Sequence, residues 1–459
     1  MALRLRRVGK QWLQTLKGGG GMRSGLHQRN EWEVEVAGEA LDFDSLEACI
    51  GKPINATLRK KLRPQFVTDF SRNSRIIVFE GAEIELCLDS GEIRAGKANR
   101  PISELELELK SGTAKQLFQF ALILLEIVPI EIEYTSKAEY GYRLCSGYKP
   151  GVSKANYHAF PQFVRLVPAL QSTVEACLYQ LQANIQGAIH KHDDEYLHQI
   201  RVALRRLRVV LAMTERFHAD AMLDMLHVQV AALCVELGCL RDWDVFATQT
   251  LVSIRSRFRD EAGFCAVVRA SEHFRELHHA AVKRVLQSEN YQRFLLCFGV
   301  WMHGEYWDVA DKAGISPTDF AVQLLDKRSR QVAKLARNLS TADAETLHLL
   351  RIACKKLRYS ADIFASQFDP DITGHYLAAL GKLQDILGKQ NDMATAHRLL
   401  DELDNVVPLV VTKPIRAQID LDCMANRVKL DKACRKFFRQ TSFWRGAAKA
   451  AQNYPDAIE

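Results

Sequence analysis

Carboxylates alternate with apolar residues along three short segments of the first 110 residues. These segments are 31–36, 83–89 and 104–109, with the sequences EWEVEV, EIELCLD and ELELEL. Successive side chains of a β-strand point to opposite faces, so this period of two gathers the acids on one face of a sheet. Hard divalent cations such as Mg²⁺ and Mn²⁺ prefer carboxylate oxygens, so such a face could bind one of these metals.

Basic residues follow the same period in two other segments. Arg4 and Arg6 alternate with leucines, and Thr15 and Lys17 share a face near Trp12. Arginine forks and lysine ammonium groups bind phosphate oxygens. Strands with acids and strands with bases around one space would hold a metal beside a polyanion, which suits phosphoryl transfer. For any single strand, the solvated face of an antiparallel sheet is the better interpretation.

A second set of basic residues recurs at an offset of 150 residues. Residues 197–208 (LHQIRVALRRLR) align with 347–358 (LHLLRIACKKLR), and 237–242 (LGCLRD) align with 387–392 (LGKQND). On a helix, the blocks 197–208 and 347–358 each place one histidine and three basic residues on one stripe. The two stripes are His198, Arg201, Arg205 and Arg208, and His348, Arg351, Lys355 and Arg358.

These stripes predict binding of a polyanion. Like charges at neighbouring helical positions repel, and a polyanion would offset that repulsion. A solvated face is the alternative, and the duplication of the stripe makes it the weaker one. Asp242 and Asp392 are expected to cap helices or to pair with the basic stripes.

The elements that must position these residues differ between the two parts of the chain. Short strands dominate residues 1–147, including a weaker alternation at 131–134, and apolar spacing predicts one helix between 113 and 127 that covers the apolar side of the sheet. Residues 148–164 are predicted to be a linker, and helices to fill 165–450 as two similar bundles. The first 30 residues have seven basic residues and no acid. They resemble a transit peptide, but the alternation favours a hairpin.

Composition excludes several classes of protein. The 459 residues are 47% hydrophobic and 25% charged, which is typical of a globular fold and unlike a disordered chain. No run of about 18 apolar residues predicts a membrane span. The 11 cysteines include no C-x-x-C pair, which argues against a structural zinc site and favours reduced thiols in the cytoplasm.

Residues 1–147 resemble the CYTH domain, the triphosphate tunnel metalloenzyme fold. Seven pieces in order carry the resemblance: MALRLRR, TLKGG, GLHQRNEWEVEV, FVTDFSR, IELCLDSGEIRAG, ISELELEL and TSKAEYGYRL. The resemblance implies an antiparallel β-barrel that forms a tunnel. It also implies that Arg4, Arg6, Lys17, Arg72 and Lys137 bind triphosphate, that Glu31 and Glu33 are catalytic, and that Asp89, Glu104 and Glu106 bind Mg²⁺ or Mn²⁺.

The chain departs from this family at its beginning. The family opens with a Glu-x-Glu-x-Lys strand that supplies metal ligands, and this sequence begins after that point of the pattern. We therefore expect an incomplete barrel and a shortened gene product, which the DNA upstream of Met1 would test.

Residues 165–450 resemble the CHAD domain, a conserved histidine α-helical domain. The residues that carry this resemblance are the two repeated blocks and their extensions, LGCLRDWDVF and LQDILGKQNDMATA. The resemblance implies two pseudo-symmetric helical bundles whose basic stripes face a cavity that binds inorganic polyphosphate.

Together the two resemblances predict metal-dependent hydrolysis of inorganic tripolyphosphate in the barrel and binding of long-chain polyphosphate by the helices. The alternative is a catalytically inactive protein that binds or localises polyphosphate. Thiamine triphosphatase and adenylyl cyclase activities rank lower, because no segment suggests a pocket for a base. Nucleic acid is a less favoured partner, since no aromatic residues interleave with the arginines.

Overall fold

The computed structural model divides the chain into two compact units. The first contains Met1–Gly151 and Gln292–Gly304, and the second contains Val152–Tyr291 and Glu305–Glu459. The structure describes residues 2–23, 26–148, 151–154, 165–191, 193–258, 261–312 and 314–445. Most of the predicted linker 148–164 and the end of the predicted helical region, 446–450, therefore lie outside the described residues.

The first sheet of the first unit contains three antiparallel strands in sequence order. They are β1 (Ala2–Val8), β2 (Gln11–Arg23) and β3 (Leu26–Val36). The predicted hairpin is thus confirmed. Its register places Arg4 opposite Thr15 and Thr15 opposite Glu33, so the three side chains form one row across the sheet.

The second sheet repeats this arrangement with longer strands. They are β4 (Val67–Phe79), β5 (Ala82–Ala95) and β6 (Ala98–Ser111). Arg72 lies opposite Asp89, and Asp89 lies opposite Glu104. Among the described residues no strand pairing joins the two sheets, so they form an open arrangement. The predicted α+β region with an incomplete barrel is confirmed in this form.

Among the described residues up to 151, four helices accompany the sheets: α1 (Phe43–Ile50), α2 (Ala56–Lys61), α3 (Ala114–Ile127) and α4 (Lys137–Ser146). Helix α3 begins at a capping box between Thr113 and Gln116, and its Leu117 and Phe120 pack on Ile84 of β5. The predicted helix on the apolar side of the sheet is confirmed.

The strand expected at 131–134 is wrong. This segment between α3 and α4 has no regular structure. Pro129 lacks an N–H group, which disfavours a strand at this point. The amide of Ile132 donates to the side chain of Gln292 at 3.0 Å instead of to a neighbouring strand.

The second unit is helical throughout its described elements. They are α5 (Leu166–His190), α6 (Asp194–Thr214), α7 (Ala221–Val245), α8 (Leu251–Ile254), α9 (Glu261–Leu286), α11 (Tyr306–Asp311), α12 (Pro317–Leu335), α13 (Ala344–Phe364), α14 (Pro370–Leu403) and α15 (Leu409–Phe438). Helix α10 (Glu289–Met302) lies almost entirely in the first unit. A π-helical turn, Phe246–Thr250, joins α7 to α8.

The helical unit contains the duplication that the sequence predicts. Helices α6 and α13 both have 21 residues, and Asp193 and Asp343 cap them at an offset of 150. Helix α6 packs against α13, and α7 packs against α14. The two halves share a core in which Trp243 and Phe264 meet Leu400 and Ile415. The predicted pair of similar bundles is confirmed.

One helical stretch, Ala221–Arg257, has the length and apolar composition that could cross a membrane. This is weak evidence, because helices that form the core of a soluble protein can pass the same test. Leu226, Leu237 and Trp243 of this stretch are buried inside the fold.

Two candidate phosphate-binding sites

Cations and carboxylates form a row across the first sheet. The Thr15 hydroxyl donates to a Glu33 oxygen at 2.7 Å, and the Arg6 guanidinium donates to both Glu33 oxygens at 3.3 and 3.4 Å. Arg4 donates to the Thr15 hydroxyl at 3.3 Å. Lys17 and Glu31 form an ion pair beside this row. The structure therefore brings together all five residues that were predicted on these strands.

The two arginines of this row each have an unpaired hydrogen-bond donor. The Nε atoms of Arg4 and Arg6 are buried and have no hydrogen-bond partner among the described residues. Burial, together with the charge of Arg6, lowers the pKa of Arg4. Arg72 of the second sheet also acts on Arg4 electrostatically, so the cations of the two sheets lie near one another. An anion placed here would satisfy these donors and reduce the repulsion.

On the second sheet, the buried carboxylate of Asp89 binds two cations. Arg72 donates to its two oxygens at 2.7 and 2.6 Å, and the Lys137 ammonium lies 2.9 Å from it. The same ammonium lies 2.6 Å from Glu104 and 2.6 Å from Glu106, and Arg72 also pairs with Glu106. The ring of Phe70 flanks both cations.

Helix α4 places Lys137 in this cluster. The hydroxyl of Ser136 accepts a hydrogen bond from the Glu139 amide and caps the helix, so Lys137 is its first residue. Gly141 allows close approach of α4 to the chain before β4, because a Cβ atom there would lie 2.2 Å from the Phe66 ring.

The charges of this cluster stabilise one another. Burial alone would raise the pKa of Asp89, but hydrogen bonds from Arg72 and Lys137 hold it below the ordinary 3.8. Burial alone would lower the pKa of Lys137, but its bonds to Glu104, Glu106 and Asp89 raise it to about 12. Asp89 and Lys137 are therefore both ionised at neutral pH.

The donor set of this unit has the chemistry that a hard divalent cation requires. Asp89, Glu104 and Glu106 offer carboxylate oxygens around one point. In the part of the chain that the structure describes, no three acidic, histidine or cysteine side chains form a ready metal site. Lys137 lies among the three acids and satisfies them. The three acids are therefore suitable ligands for a divalent metal. In this structure the Lys137 ammonium lies between them.

The second site lies where the two helical halves meet. Four residues, which we call the central cluster, come from α6 and α13: Arg201, Arg205, Arg351 and Lys355. The charges of Arg205 and Arg351 both act on Lys355, so the two stripes face each other. The Arg201 guanidinium donates to the carbonyl of Leu237 at 2.5 Å, and Gly238 leaves room for it.

Two acids adjoin the central cluster. Asp392 lies within the fields of Arg351 and Lys355, and Asp242 acts on Arg201 and Arg351. Asp242 also accepts a hydrogen bond from Arg398 at 3.0 Å. Both acids lie inside helices, so they do not cap them. The prediction that they accompany the basic stripes is the one that fits this placement.

The central cluster has an excess of cations over carboxylates. The Nε atoms of Arg205 and Arg351 are buried and lack partners among the described residues. Burial and the neighbouring arginines lower the pKa of Arg201 to about 10 and that of Lys355 to about 6. Burial and Arg241 also lower the pKa of His198. A buried set of like charges of this kind is stabilised when it binds a polyanion.

The remaining residues of the predicted stripes lie at the edges. Arg208 and His348 are exposed, and His348 Nδ1 lies 2.8 Å from the Asn391 side chain. Arg358 lies 3.9 Å from Asp362. Sequence reasoning missed Arg241, although it stands in the repeated block 237–242, because its counterpart in the second half is Asn391.

Comparisons with known proteins agree with this division. The CYTH domain model matches residues 1–142, and the CHAD domain model matches residues 172–401. An inorganic triphosphatase from Haemophilus influenzae is 36% identical over 156 residues, which are 32% of this chain and 41% of that protein. This chain thus spans less than half the length of that curated relative.

Two solved structures match more than half of this chain. The CHAD domain from the plant Ricinus communis has a TM-score of 0.55 and 28% identity, over 62% of this chain and 96% of that one. PptA from Streptomyces chartreusis has a TM-score of 0.45 and 13% identity, over 59% of this chain and 100% of that one, which is too weak to carry an argument. Since the CHAD model matches half of the chain, this protein belongs to the CHAD domain family, and it carries a CYTH domain over residues 1–142.

Proposed function

We propose that this protein hydrolyses inorganic tripolyphosphate on its two sheets with Mg²⁺ or Mn²⁺, and that its helical unit binds polyphosphate. One observation supports the first activity above others: five cations and five carboxylates converge on the sheets, and arginine Nε atoms remain unpaired there. The likeness of this chain to an inorganic triphosphatase over 156 residues supports this assignment.

The five cations would bind the phosphate oxygens of the substrate. They are Arg4, Arg6, Lys17, Arg72 and Lys137. Each now pairs with a carboxylate, and a bound triphosphate would compete for these pairs. Glu33 would then lose its bonds to Arg6 while Thr15 still orients it, so it could accept a proton from the attacking water. Glu31 would assist in the same way when Lys17 turns to phosphate.

Asp89, Glu104 and Glu106 are the residues that would hold the metal. A bound divalent cation would neutralise the phosphate oxygens as negative charge moves to the leaving group. This role requires that the Lys137 ammonium moves from the three acids towards the substrate.

Phosphate release from tripolyphosphate, measured with Mg²⁺ and with Mn²⁺, tests the proposal. Arg72→Gln should lower kcat/KM by at least about a hundredfold, because it removes a charged donor from the reacting phosphate. Arg94→Gln is the matched control: Arg94 pairs with Asp69 and Glu92 on the opposite face of β5 and should have little effect. No phosphate release with either metal would contradict the proposal.

A protein that binds polyphosphate without turnover is the second candidate. The observation that favours it is the pair of unpartnered Nε atoms in the central cluster, on Arg205 and Arg351. Arg205→Ala combined with Lys355→Ala should abolish tight polyphosphate binding, and wild-type binding should weaken steeply with salt, as for other polyanions. Tight binding with no phosphate release would select this candidate over the enzyme.

A further inference from the structure

Basic residues outside the central cluster continue it to one side. We call them the lateral surface, and they come from α6 and its C-terminal end, α12 and α13: Arg208, Arg216, Arg328 and Lys356. The motif blocks include Arg208 and Lys356, but Arg216 and Arg328 stand outside them.

Direct contacts hold the lateral surface together. The Arg328 guanidinium donates to the carbonyl of Lys356 at 2.8 Å, which fixes α12 to α13. The Arg216 guanidinium lies over the Phe320 ring of α12, 5.0 Å from its centre. Arg208 adjoins the central cluster, because the Cys234 thiol lies within the fields of Arg201, Arg205 and Arg208.

The members of this surface affect one another as unshielded cations do. Desolvation and the charges of Arg328 and Arg208 lower the pKa of Lys356. Burial and Arg216 lower the pKa of Arg328 to about 10. Among the described residues, none of the four forms an ion pair with a carboxylate.

The symmetry-related side of the unit lacks such a surface. At the offset of 150, Arg208 corresponds to Arg358 and Lys356 to Arg206, and both of these lie in the field of Asp362. Asp362 itself corresponds to Ala212. The position that corresponds to Arg216 is Ser366, which carries no charge. The duplication therefore leaves a cationic surface on one side and a partly neutralised one on the other.

We propose that a linear polyphosphate leaves the central cluster in one direction only, over the lateral surface, so that the helical unit selects long chains over short ones. This inference rests on the proposed polyphosphate binding. From Arg201 to the end of α6 the cations extend over about 20 Å, at 1.5 Å per helical residue. Tripolyphosphate has only two anhydride bridges and cannot span that distance, whereas a long chain contacts both groups of cations at once.

The test compares two double variants in titrations with tripolyphosphate and with long-chain polyphosphate. Arg216→Gln with Lys356→Gln removes two exposed charges from the lateral surface. Lys432→Gln with Arg435→Gln removes two exposed charges from α15 and is the control for net charge. All proteins carry Arg72→Gln, which weakens the site on the sheets, and no metal is added.

The lateral variant should bind long chains about tenfold more weakly and tripolyphosphate unchanged, and its affinity should depend less steeply on salt. The control should bind both ligands as the parent does. Equal effects of the two double variants on long chains would overturn the inference and leave the proposed function intact. Absence of any polyphosphate binding by the parent would overturn both.

A second pair of variants tests the direction. Ala212→Asp should weaken long-chain binding severalfold, because it places on the lateral side the acid that neutralises the other side. Ala212→Asn controls for size. Asp362→Ala should instead strengthen long-chain binding. An unchanged affinity in both Ala212→Asp and Asp362→Ala would contradict binding to one side.

Discussion

Lys137 is buried among three carboxylates, and its removal should destabilise the first unit. Lys137→Met leaves Asp89, which is fully buried, with Glu104 and Glu106 and no ammonium between them. Loss of one partner from a buried ion pair costs about 3–5 kcal/mol of unfolding free energy. Urea unfolding followed by circular dichroism measures this.

Lys110→Met is the control for that variant. Lys110 also bridges two carboxylates, Glu85 and Glu108, but its side chain is 38% exposed against 13% for Lys137, and neither acid is fully buried as Asp89 is. Its loss should cost less than about 1 kcal/mol. Equal losses in the two variants would show that burial does not strengthen the Lys137 cluster.

The depressed pKa of Asp89 gives the stability of this unit a defined pH dependence. A carboxyl group whose pKa is lower when folded than when unfolded stabilises the fold above its unfolded value, here near 3.8. That contribution disappears as the pH falls through the lower folded value. The difference in stability between wild type and Asp89→Asn should therefore be largest near neutral pH and should shrink below pH 4 in acid titrations.

Lys355 should couple the proposed polyphosphate binding to protonation. Arg201, Arg205 and Arg351 oppose its charge, Asp392 favours it, and burial lowers its pKa to about 6. A bound polyanion favours the charged form, so affinity should rise as the pH falls from 8 towards 6, by up to about tenfold per pH unit.

The ligand and His198 also titrate in this pH range, and they do so equally in wild type and in variants of Lys355. Measuring all proteins with the same polyphosphate preparation therefore isolates the contribution of Lys355. Lys355→Arg, which stays charged, and Lys355→Met, which is never charged, should both show flatter pH profiles than wild type. The same slope in all three proteins would assign the pH dependence to other groups.

The sequence predicts the residue types of both sites but not their pairing. Period two predicts Asp89 on an acidic face, and the 150-residue offset predicts Arg205 and Lys355, whereas Arg72 is predicted by the resemblance to the CYTH domain. No local pattern shows that Lys137 lies among three acids, because it comes from a helix 31 residues after Glu106. Asp362 and Arg328 were missed for the same reason, since their importance depends on helix packing.

At the scale of elements, Gly141 lets α4 lie close to Phe66, and this close packing fixes the position of Lys137 at the start of the helix. Gly→Ala inside a helix normally stabilises by about 1 kcal/mol. At Gly141 the new Cβ atom would lie 2.2 Å from the Phe66 ring, so Gly141→Ala should destabilise the unit by about 1–3 kcal/mol and lower the proposed triphosphatase activity.

Gly374 of α14 provides the matched substitution. A Cβ atom there meets nothing within 4 Å. Thermal melts of both variants measure the effect. Gly374→Ala should leave the melting temperature unchanged or raise it, whereas Gly141→Ala should lower it. Stabilisation by both substitutions would mean that α4 can move away from Phe66 without cost.

Elements with a strong period were predicted correctly, and those set by distant contacts were not. The hairpin of β1 and β2 and helix α3 follow from local alternation and spacing. The segment 131–134 has the alternation of a strand, but its backbone donates to Gln292, which is 160 residues away. Local sequence cannot report a partner at that separation.

At the scale of the whole helical unit, the two halves should unfold together. Leu207 and Leu357 are equivalent buried residues of α6 and α13, and the halves share one core cluster. Leu207→Ala and Leu357→Ala should each cost about 2–5 kcal/mol and shift the same single transition of this unit. Calorimetry in which each substitution moves a different transition would show two independent bundles.

The sequence predicts this duplication well, because both halves keep the same spacing without gaps. It does not predict that residues 292–304 belong to the first unit. Those residues match neither repeated block. Their apolar side chains predict that they are buried, but not which part of the protein they pack against.

Because α10 belongs to the first unit, that unit cannot be completed until much of the second unit has been synthesised. Gly299 of α10 lies against Phe118 of α3, and His303 stacks on the same ring. A ribosome that has finished Gly151 must add 138 further residues, the difference between 289 and 151, to reach the first residue of this helix. At about 5–20 residues per second, the two sheets wait on the order of ten seconds with Phe118 uncovered. During that interval the nascent chain exposes an apolar surface that chaperones recognise, so the timing of translation becomes part of how this protein folds.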